Sequence, residues 1–383
     1  MESTPRQIGF NSPFVTGNEK KYIDEVFENK YFSGNGPFTR RCQDWLEDYL
    51  GANSVRLTHS CTAGLEMTAM LAGLTPGDEV IMPSFTFVTT ASAFMRNGAV
   101  PVFCEIDPES MLIEIKDIEH RIGPKTKAIV AVHYAGFSPD MDELGRLADS
   151  YGLMLIEDSA QGLGSKFKGK SLGTLSPLAS ISFHETKNIH SGLGGCLVIN
   201  DEDFSEMADI IWERGTNRTA FFKGTVDKYS WQEVGSSFYL SELQAAFLFA
   251  QLESLDENLK SRKKIWENYS HAVSPLEKTG KVRILRPPEY CEGNSHMFAI
   301  LLPDGEAADN ARAKLNEVGV NAVIHYVPLH SSKMGAKLGY SPSDLPNTMV
   351  ASSSLLRLPF HHEISDNDIE YIADSLESIL SDF

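Results

Sequence analysis

The amino-acid sequence predicts an α/β protein in which a mostly parallel sheet lies between two layers of helices. Short apolar runs recur from Glu79 to His184, separated by polar or amphipathic stretches, which is typical of consecutive strand and helix units. The chain has 383 residues, more than one hydrophobic core usually supports, so two packed units are expected. We therefore expect a three-layer α/β/α domain followed by a smaller α+β domain.

The predicted elements of the large domain follow from short apolar runs and from the 3.6-residue spacing of apolar side chains. The runs that predict strands are 80–83, 100–106, 128–134, 153–157, 178–183 and 195–199. Helical spacing occurs at 62–74, 91–97, 141–151 and 204–214.

The stretch 240–266 predicts one or two long helices, the first beginning at Ser241 and Glu242. We place the domain change here, with a large domain at 1–250 and a small one at 251–383. The small domain is predicted to contain strands at 282–285, 297–302 and 322–326 and helices at 307–318 and 366–380.

Charge and composition exclude several classes of protein. The chain carries 34 Lys and Arg against 52 Asp and Glu, a formal net charge of -18, which disfavours nucleic acid as a partner. No apolar run approaches the roughly 20 residues of a membrane helix, and the first residues lack the pattern of a signal peptide. No metal-ligand spacing occurs. We expect a cytoplasmic location and free thiols at the five cysteines, 42, 61, 104, 196 and 291.

Lys187 and Asp158 are the first candidates for chemistry. Lys187 follows the apolar run 178–183 in a polar, glycine-flanked turn, where a fixed amine can form a Schiff base. Asp158 ends the run LMLIED, at the carboxyl end of a predicted parallel strand, where its carboxylate can pair with a protonated pyridine nitrogen. A solvated cap is the commoner role of such a lysine, and a helix cap is the alternative for the aspartate.

Other residues supply the remaining parts of a cofactor site. The run Ser-Cys-Thr-Ala-Gly at 60–64 opens a helix and can direct N–H groups and a hydroxyl to a phosphate, although a plain helix cap is more common. Ser182 offers a second hydroxyl, Phe87 can stack on a planar ring, and Gln161 can bond a ring substituent. Packing in the core is the alternative for Phe87. Together these groups specify pyridoxal 5'-phosphate (PLP) as the cofactor.

Several blocks of the sequence resemble the DegT/DnrJ/EryC1/StrS sugar aminotransferases, which are PLP-dependent enzymes of fold type I. The blocks are GDEVIMPSFTFVTTASAF, IEDSAQGLGSKFKGKSLGTLSPLASISFHETKN, YLSELQAAF and HYVPLH. The forms FHETKN, FTRRCQDWLEDYLG and VDKYSWQEVGSS most resemble the branch of the family that serves enterobacterial common antigen synthesis.

The resemblance implies a role for each cofactor residue. Lys187 holds PLP and moves the proton during transfer, while Asp158 pairs with the pyridine nitrogen. Gln161 contacts the ring hydroxyl and Phe87 stacks on the ring. The phosphate contacts implied are Thr62, Ala63 and Ser182.

The resemblance also implies a homodimer with shared active sites. In most of the family a Gly-x-Asn-x-Arg block from the partner completes the site. Here the matching stretch 235–239 reads GSSFY, so the asparagine and arginine are absent and Ser237 stands in the asparagine position.

The implied reaction moves an amino group from L-glutamate to the 4-keto carbon of dTDP-4-dehydro-6-deoxyglucose. Its diphosphate needs nearby cations, and Arg214, Arg218, Lys223 and Lys228 form a basic cluster that could equally be a solvated face. Further candidates for substrate contact are Ser33 and Gly34 in the N-terminal loop, His184, and Tyr326 and His330 in HYVPLH, for which structural burial is the alternative.

Other functions remain as alternatives at this stage. One is a transaminase acting at another ring carbon or giving the other epimer. Another is a sugar dehydratase, which is disfavoured because dehydratases of the family carry histidine in place of Lys187. A third is an inactive regulatory homologue. A general amino-acid aminotransferase is disfavoured because the C-terminal part shows no arginine evidently placed for an α-carboxylate.

Overall fold

The computed structural model describes residues 6–381; residues 1–5, part of the N-terminal segment considered above, and residues 382–383 lie outside it. Its strands are β1 (Ser54–Thr58), β2 (Glu79–Pro83), β3 (Val100–Cys104), β4 (Thr126–Val132), β5 (Met154–Asp158), β6 (Lys166–Phe167), β7 (Lys170–Ser171), β8 (Leu178–Ser182), β9 (Gly195–Ile199), β10 (Arg283–Ile284), β11 (Cys291–Glu292), β12 (Phe298–Leu301) and β13 (Leu355–Leu358). Its helices are α1 (Glu19–Asn29), α2 (Pro37–Leu50), α3 (Cys61–Leu71), α4 (Val88–Met95), α5 (Ile115–Arg121), α6 (Met141–Tyr151), α7 (Ser205–Trp212), α8 (Arg218–Phe222), α9 (Glu242–Glu253), α10 (Leu255–Lys278), α11 (Gly305–Glu317), α12 (Lys333–Lys337), α13 (Pro346–Ser354) and α14 (Asp366–Ser381).

The central sheet has seven strands in the order β1-β9-β8-β5-β4-β2-β3. β3, β2, β4, β5 and β8 run parallel, and β9 is antiparallel to both of its neighbours. Every residue of β8 and β9 is buried, as expected for strands covered on both faces. The predicted mostly parallel sheet between helical layers is confirmed. The carboxyl ends of β5 and β8 lie side by side, which brings Asp158 and the chain leading to Lys187 to one edge.

The long helical stretch forms two helices, α9 and α10. Ser241 caps α9 by accepting a hydrogen bond from the Gln244 N–H at 3.4 Å. Glu242, in the first turn, is 1% exposed and accepts from the N–H groups of Gly36, Phe38 and Thr39 at 3.0, 2.8 and 2.9 Å. One carboxylate therefore ties the start of α9 to the start of α2.

The C-terminal part surrounds a small antiparallel sheet, β10-β12-β13. Its buried cluster runs from Ile265 on α10 to Leu380 on α14 and also includes Ile8. The division at 250 stays a prediction. Among residues 6–381, no helix is long and apolar enough to cross a membrane.

The predicted strand at 322–326 is wrong. Only Val323 pairs with the edge strand β13, through two hydrogen bonds to Arg357. Beyond Val323 the chain leaves β13, and the rings of His325 and Tyr326 pack beside Tyr134 next to the central sheet. The partner strand β13 was missed because it is short, preceded by serines and interrupted by an arginine.

Candidate active site

A cavity of about 580 Å³ opens at the carboxyl edge of the central sheet. Lys187, Asp158, Phe87 and Gln161 all line it, although they come from separate segments of the chain. The other predicted residues on its wall are Thr62, Ser182, His184 and Tyr326. The structure therefore brings together most of the predicted cofactor residues.

Neighbouring hydrogen bonds fix the turn that carries Lys187. The Lys187 N–H donates to the His184 carbonyl at 2.8 Å. The side chain of the next residue, Asn188, is buried and donates to the Asn294 carbonyl at 3.0 Å, and its Oδ1 lies 2.9 Å from His296 Nδ1. Burial lowers the pKa of the Lys187 amine to about 8, against opposing effects of Cys61 and Asp158. A fixed amine that loses its proton near neutral pH is suited to attack a carbonyl.

Asp158 is the last residue of β5 and is 5% exposed. Its Oδ2 accepts from the Thr90 hydroxyl at 2.7 Å and its Oδ1 from the Ala160 N–H at 3.2 Å. Burial raises the pKa of Asp158, and these two hydrogen bonds oppose that shift. A buried carboxylate with acceptor capacity left is stabilised by a cationic partner such as a pyridinium. Sequence reasoning missed Thr90, because a threonine inside an ordinary helical stretch carries no signal.

The start of α3 forms an anion cup. The N–H groups of Cys61 and Thr62 are in the first turn and have no intrahelical partner. The backbone of Gly195 passes so close that a Cβ there would lie 2.3 Å from the Cys61 nitrogen. Ala63 is 1% exposed, lies behind the cavity wall and donates its N–H to Ser60 Oγ at 3.1 Å. Thr62 lines the cavity and Ala63 does not, and the phosphate contacts of both residues stay predictions.

Two side chains frame the space where a planar ring can lie. Phe87 is 54% exposed at the cavity wall, so its ring is open to stacking. Gln161 is held at both ends, since its Oε1 accepts from the Ala135 N–H at 2.7 Å and its Nε2 donates to the Tyr326 hydroxyl at 3.2 Å. With the anion cup, the buried Asp158 carboxylate and the Lys187 amine, these residues fit PLP.

The C-terminal part supplies one wall of the cavity. The sequence showed no arginine evidently placed there for a carboxylate, and the structure differs on this point. Two arginines, Arg262 on α10 and Arg357 on β13, line the cavity. Arg262 donates to the carbonyls of Ser295 and His296 at 3.1 and 2.7 Å, and burial lowers its pKa to about 9. Burial also lowers the pKa of Arg357. No sequence motif marks either residue.

The remaining predicted substrate residues lie outside this cavity. Ser33, Gly34 and Arg214 line a second, smaller pocket of about 230 Å³, together with Arg218 and Ser237. In that pocket Arg214 donates to Ser237 Oγ at 3.2 Å.

Three more predicted residues occupy neither pocket. Lys223 and Lys228 are exposed, so the basic cluster does not converge on one point within the described residues. His330 is fully buried, and its Nδ1 lies 2.6 Å from Ser84 Oγ, which matches the structural alternative.

This sheet, with a lysine, a strand-end aspartate and an anion cup on one edge, has the architecture of a PLP-dependent enzyme of fold type I. Residues 14–377 match the DegT/DnrJ/EryC1/StrS aminotransferase family, and the chain belongs to that family. Its members and structural neighbours are PLP-dependent aminotransferases, which confirms the predicted cofactor.

Individual relatives match along nearly their whole length. GDP-perosamine synthase of Caulobacter vibrioides is 29% identical, covering 99% of this chain and 100% of the relative. The aminotransferase TlmJ from Streptoalloteichus hindustanus superposes with a TM-score of 0.90 at 28% identity, covering 98% and 100% of the two chains. DesV of S. venezuelae, solved in complex with a ketimine intermediate, gives 0.89 at 26% identity, covering 98% and 99%.

Proposed function

We propose that this protein transfers an amino group from L-glutamate to the 4-keto carbon of a nucleotide-linked 6-deoxy sugar, dTDP-4-dehydro-6-deoxy-D-glucose. The product is dTDP-4-amino-4,6-dideoxy-D-galactose, for surface-glycan biosynthesis in the cytoplasm. The observation that carries the proposal is that the Lys187 amine and the Asp158 carboxylate line one cavity beside an anion cup. The sugar, the donor and the configuration rest on the sequence resemblance described above.

Bound PLP supplies an electron sink for the negative charge that develops beside the reacting amine. Asp158 keeps the ring nitrogen protonated, because a buried carboxylate favours a cationic neighbour. Thr90 donates to Asp158 Oδ2 and so fixes the carboxylate that would pair with that nitrogen. Phe87 would cover the ring, and the N–H groups of Cys61 and Thr62 would hold the phosphate.

Lys187 carries the cofactor and then moves the proton at the reacting carbon. With a pKa of about 8, roughly a tenth of the free amine is neutral at pH 7. It can therefore both accept and return a proton near neutral pH, which is what two half-reactions through one residue require.

A homodimer completes the site in this proposal. In this dimer the pocket lined by Ser33, Gly34, Arg214 and Ser237 is placed against the cavity of the partner subunit. Arg214 would then reach the substrate diphosphate or the cofactor phosphate bound there. Nearby, Phe222 and Trp231 are 72% and 77% exposed, which suits a surface covered by a second copy.

The test uses the PLP-loaded protein with L-glutamate labelled with nitrogen-15 and dTDP-4-dehydro-6-deoxy-D-glucose. We expect mass spectrometry to find a labelled amino sugar and NMR to show the galacto configuration at carbon 4. A gluco product, or an amine at carbon 3 from a related keto sugar, would replace the specific product but keep the transaminase. Absence of amino sugar with every donor and keto sugar tried would favour an inactive regulatory homologue.

A further inference from the structure

Arg357 is a partly buried cation without a charged partner among residues 6–381. Its Nε is inaccessible to solvent and has no hydrogen-bond partner, and no residue from 6 to 381 forms an ion pair with its guanidinium. The guanidinium makes a cation–π contact with the ring of Phe10, whose centroid lies 4.6 Å from Arg357 Cζ. Partial removal of an unpaired charge from water costs free energy, and a bound anion would offset that cost.

The strand geometry aims this side chain at the cavity. In β13, Leu356 and Leu358 belong to the core of the C-terminal part, whereas Leu355 packs in the cluster that contains Tyr134. Since side chains alternate across a strand, Arg357 shares the face of Leu355. It reaches the cavity that Lys187 lines.

The charges on the cavity wall are unbalanced. Asp158 is the one carboxylate among the described residues that line it, against Lys187, Arg262 and Arg357. Asp158 is already assigned to the cofactor ring nitrogen. In the proposed function the cofactor phosphate lies at the start of α3, whereas Arg357 lies on the wall supplied by the C-terminal part and has no acidic residue beside it on that wall. It can therefore bind a further anion, and a guanidinium presents a planar fork that matches a carboxylate.

We propose that Arg357, assisted by the positive charge of Arg262, binds a carboxylate of the amino donor. The inference rests on the aminotransferase function proposed above and names the residue that recognises its donor. In an amino acid the carboxylate and the reacting amine share one carbon, so an anion site next to Lys187 is where the donor places it. The diphosphate of a 4-keto sugar lies across the ring from the reacting carbon and is directed elsewhere.

The test separates the two half-reactions in the PLP-loaded protein. Arg357→Gln removes the charge, Arg357→Lys keeps it without the fork, and Arg283→Gln is the control. Arg283 is exposed, lies outside the cavity and donates to the carbonyls of Pro108 and Glu109. Calorimetry measures binding of glutarate, a dicarboxylate that cannot react, and rapid-mixing absorbance follows the reaction with L-glutamate.

Arg357→Gln should weaken glutarate binding and raise the half-saturating glutamate concentration by about 100-fold, because the charge pair between the guanidinium and the carboxylate is lost. Arg357→Lys should fall between this variant and wild type, and Arg283→Gln should match wild type. We also follow the sugar half-reaction, started from the aminated cofactor. The loss of its rate constant in Arg357→Gln should be smaller than the loss in the donor half-reaction by a factor of at least about ten.

Other outcomes overturn the proposal. An equal loss in both half-reactions assigns Arg357 to the framework, and a loss confined to the sugar half-reaction assigns it to the diphosphate. Unchanged glutarate binding, or none by the wild type, removes the carboxylate site. If the wild type reacts with glutamate but aminates no keto sugar, the proposed sugar substrate fails while the Arg357 comparison still stands.

Discussion

At the scale of single residues, the site depends on how burial changes the charge of Lys187 and Asp158. The cavity lowers the pKa of Lys187 to about 8 and raises that of Asp158, and each charge opposes the shift of the other. Hydrogen bonds from neighbouring residues hold the lysine turn and the aspartate in place. The lowered pKa of the lysine and the raised pKa of the aspartate are therefore properties of the surrounding protein and not of the two residue types.

The first prediction concerns the pH dependence of Lys187. Its neutral form should appear as the pH rises through about 8, not through the ordinary lysine value of about 10.4. The rate at which apoprotein captures added PLP, followed by absorbance, should rise with that midpoint. Asp158→Asn removes a charge that raises the Lys187 pKa, so its midpoint should move lower. A wild-type midpoint near that of free lysine would contradict the assignment.

The second prediction concerns Thr90. Thr90→Val keeps the shape but removes the hydroxyl that donates to Asp158 at 2.7 Å. Losing a hydrogen bond to a buried carboxylate should lower kcat/KM about tenfold. It should also shift the pH profile of the bound-cofactor absorbance, because the Asp158 pKa rises further. Ser92→Ala, on the exposed side of the same helix, is the control. Wild-type rates and an unshifted profile in Thr90→Val would remove Thr90 from the site.

At the residue scale, the sequence predicted the side chains that follow strands and line the cavity, because an apolar run and a polar turn mark each of them. It did not predict Arg357 or Thr90. Their surroundings come from residues far away in the chain, Phe10 beside Arg357 and Asp158 beside Thr90, and no local pattern records those contacts. His330 shows the opposite case, a polar residue in a family-like block that the fold uses for structure.

At the scale of elements, Glu242 links two helices. Its carboxylate accepts three backbone N–H groups at the start of α2, and the Thr39 hydroxyl also donates to it. Sequence reasoning used Glu242 only as a start signal for α9. The helix itself was predictable from its spacing and cap, but the connection to a segment some 200 residues earlier was not.

The third prediction follows from this link. Glu242→Gln replaces one acceptor oxygen by a donor that faces N–H groups, so it should lower the free energy of unfolding by about 2 kcal/mol. Urea unfolding followed by circular dichroism measures the change. Glu257→Gln, exposed in the first turn of α10, controls for the loss of charge. Equal stability of the two variants would show that Glu242 does not anchor α2.

The same scale explains the wrong strand at 322–326. The run is apolar enough for a strand, but the edge of β13 pairs with it at one residue only. Sheet formation depends on an available partner strand, which is a property of the tertiary fold. Prediction succeeded for β2, β3, β4, β5, β8 and β9, whose short apolar runs are each bounded by polar or helical stretches.

At the scale of the whole molecule, the proposed homodimer leads to the fourth prediction. Lys187→Ala and Arg214→Gln should each be inactive alone if Arg214 reaches the partner's cavity. After mixing and subunit exchange, hybrid dimers carry one intact site, so about a quarter of wild-type activity should return.

The control mixes two preparations of Lys187→Ala, which should stay inactive. Full activity of Arg214→Gln alone, or no recovery once exchange is demonstrated by mass spectrometry, would show that the second pocket does not serve a neighbouring site.

The central claim is that the cavity at the carboxyl edge of the sheet holds PLP through the Lys187 amine. Borohydride reduction of the PLP-loaded protein, followed by peptide mass mapping, tests it most directly. We predict one modified residue, Lys187, and loss of both the modification and the visible absorbance band in Lys187→Ala. Modification of another lysine, or an unchanged band in the variant, would contradict the claim.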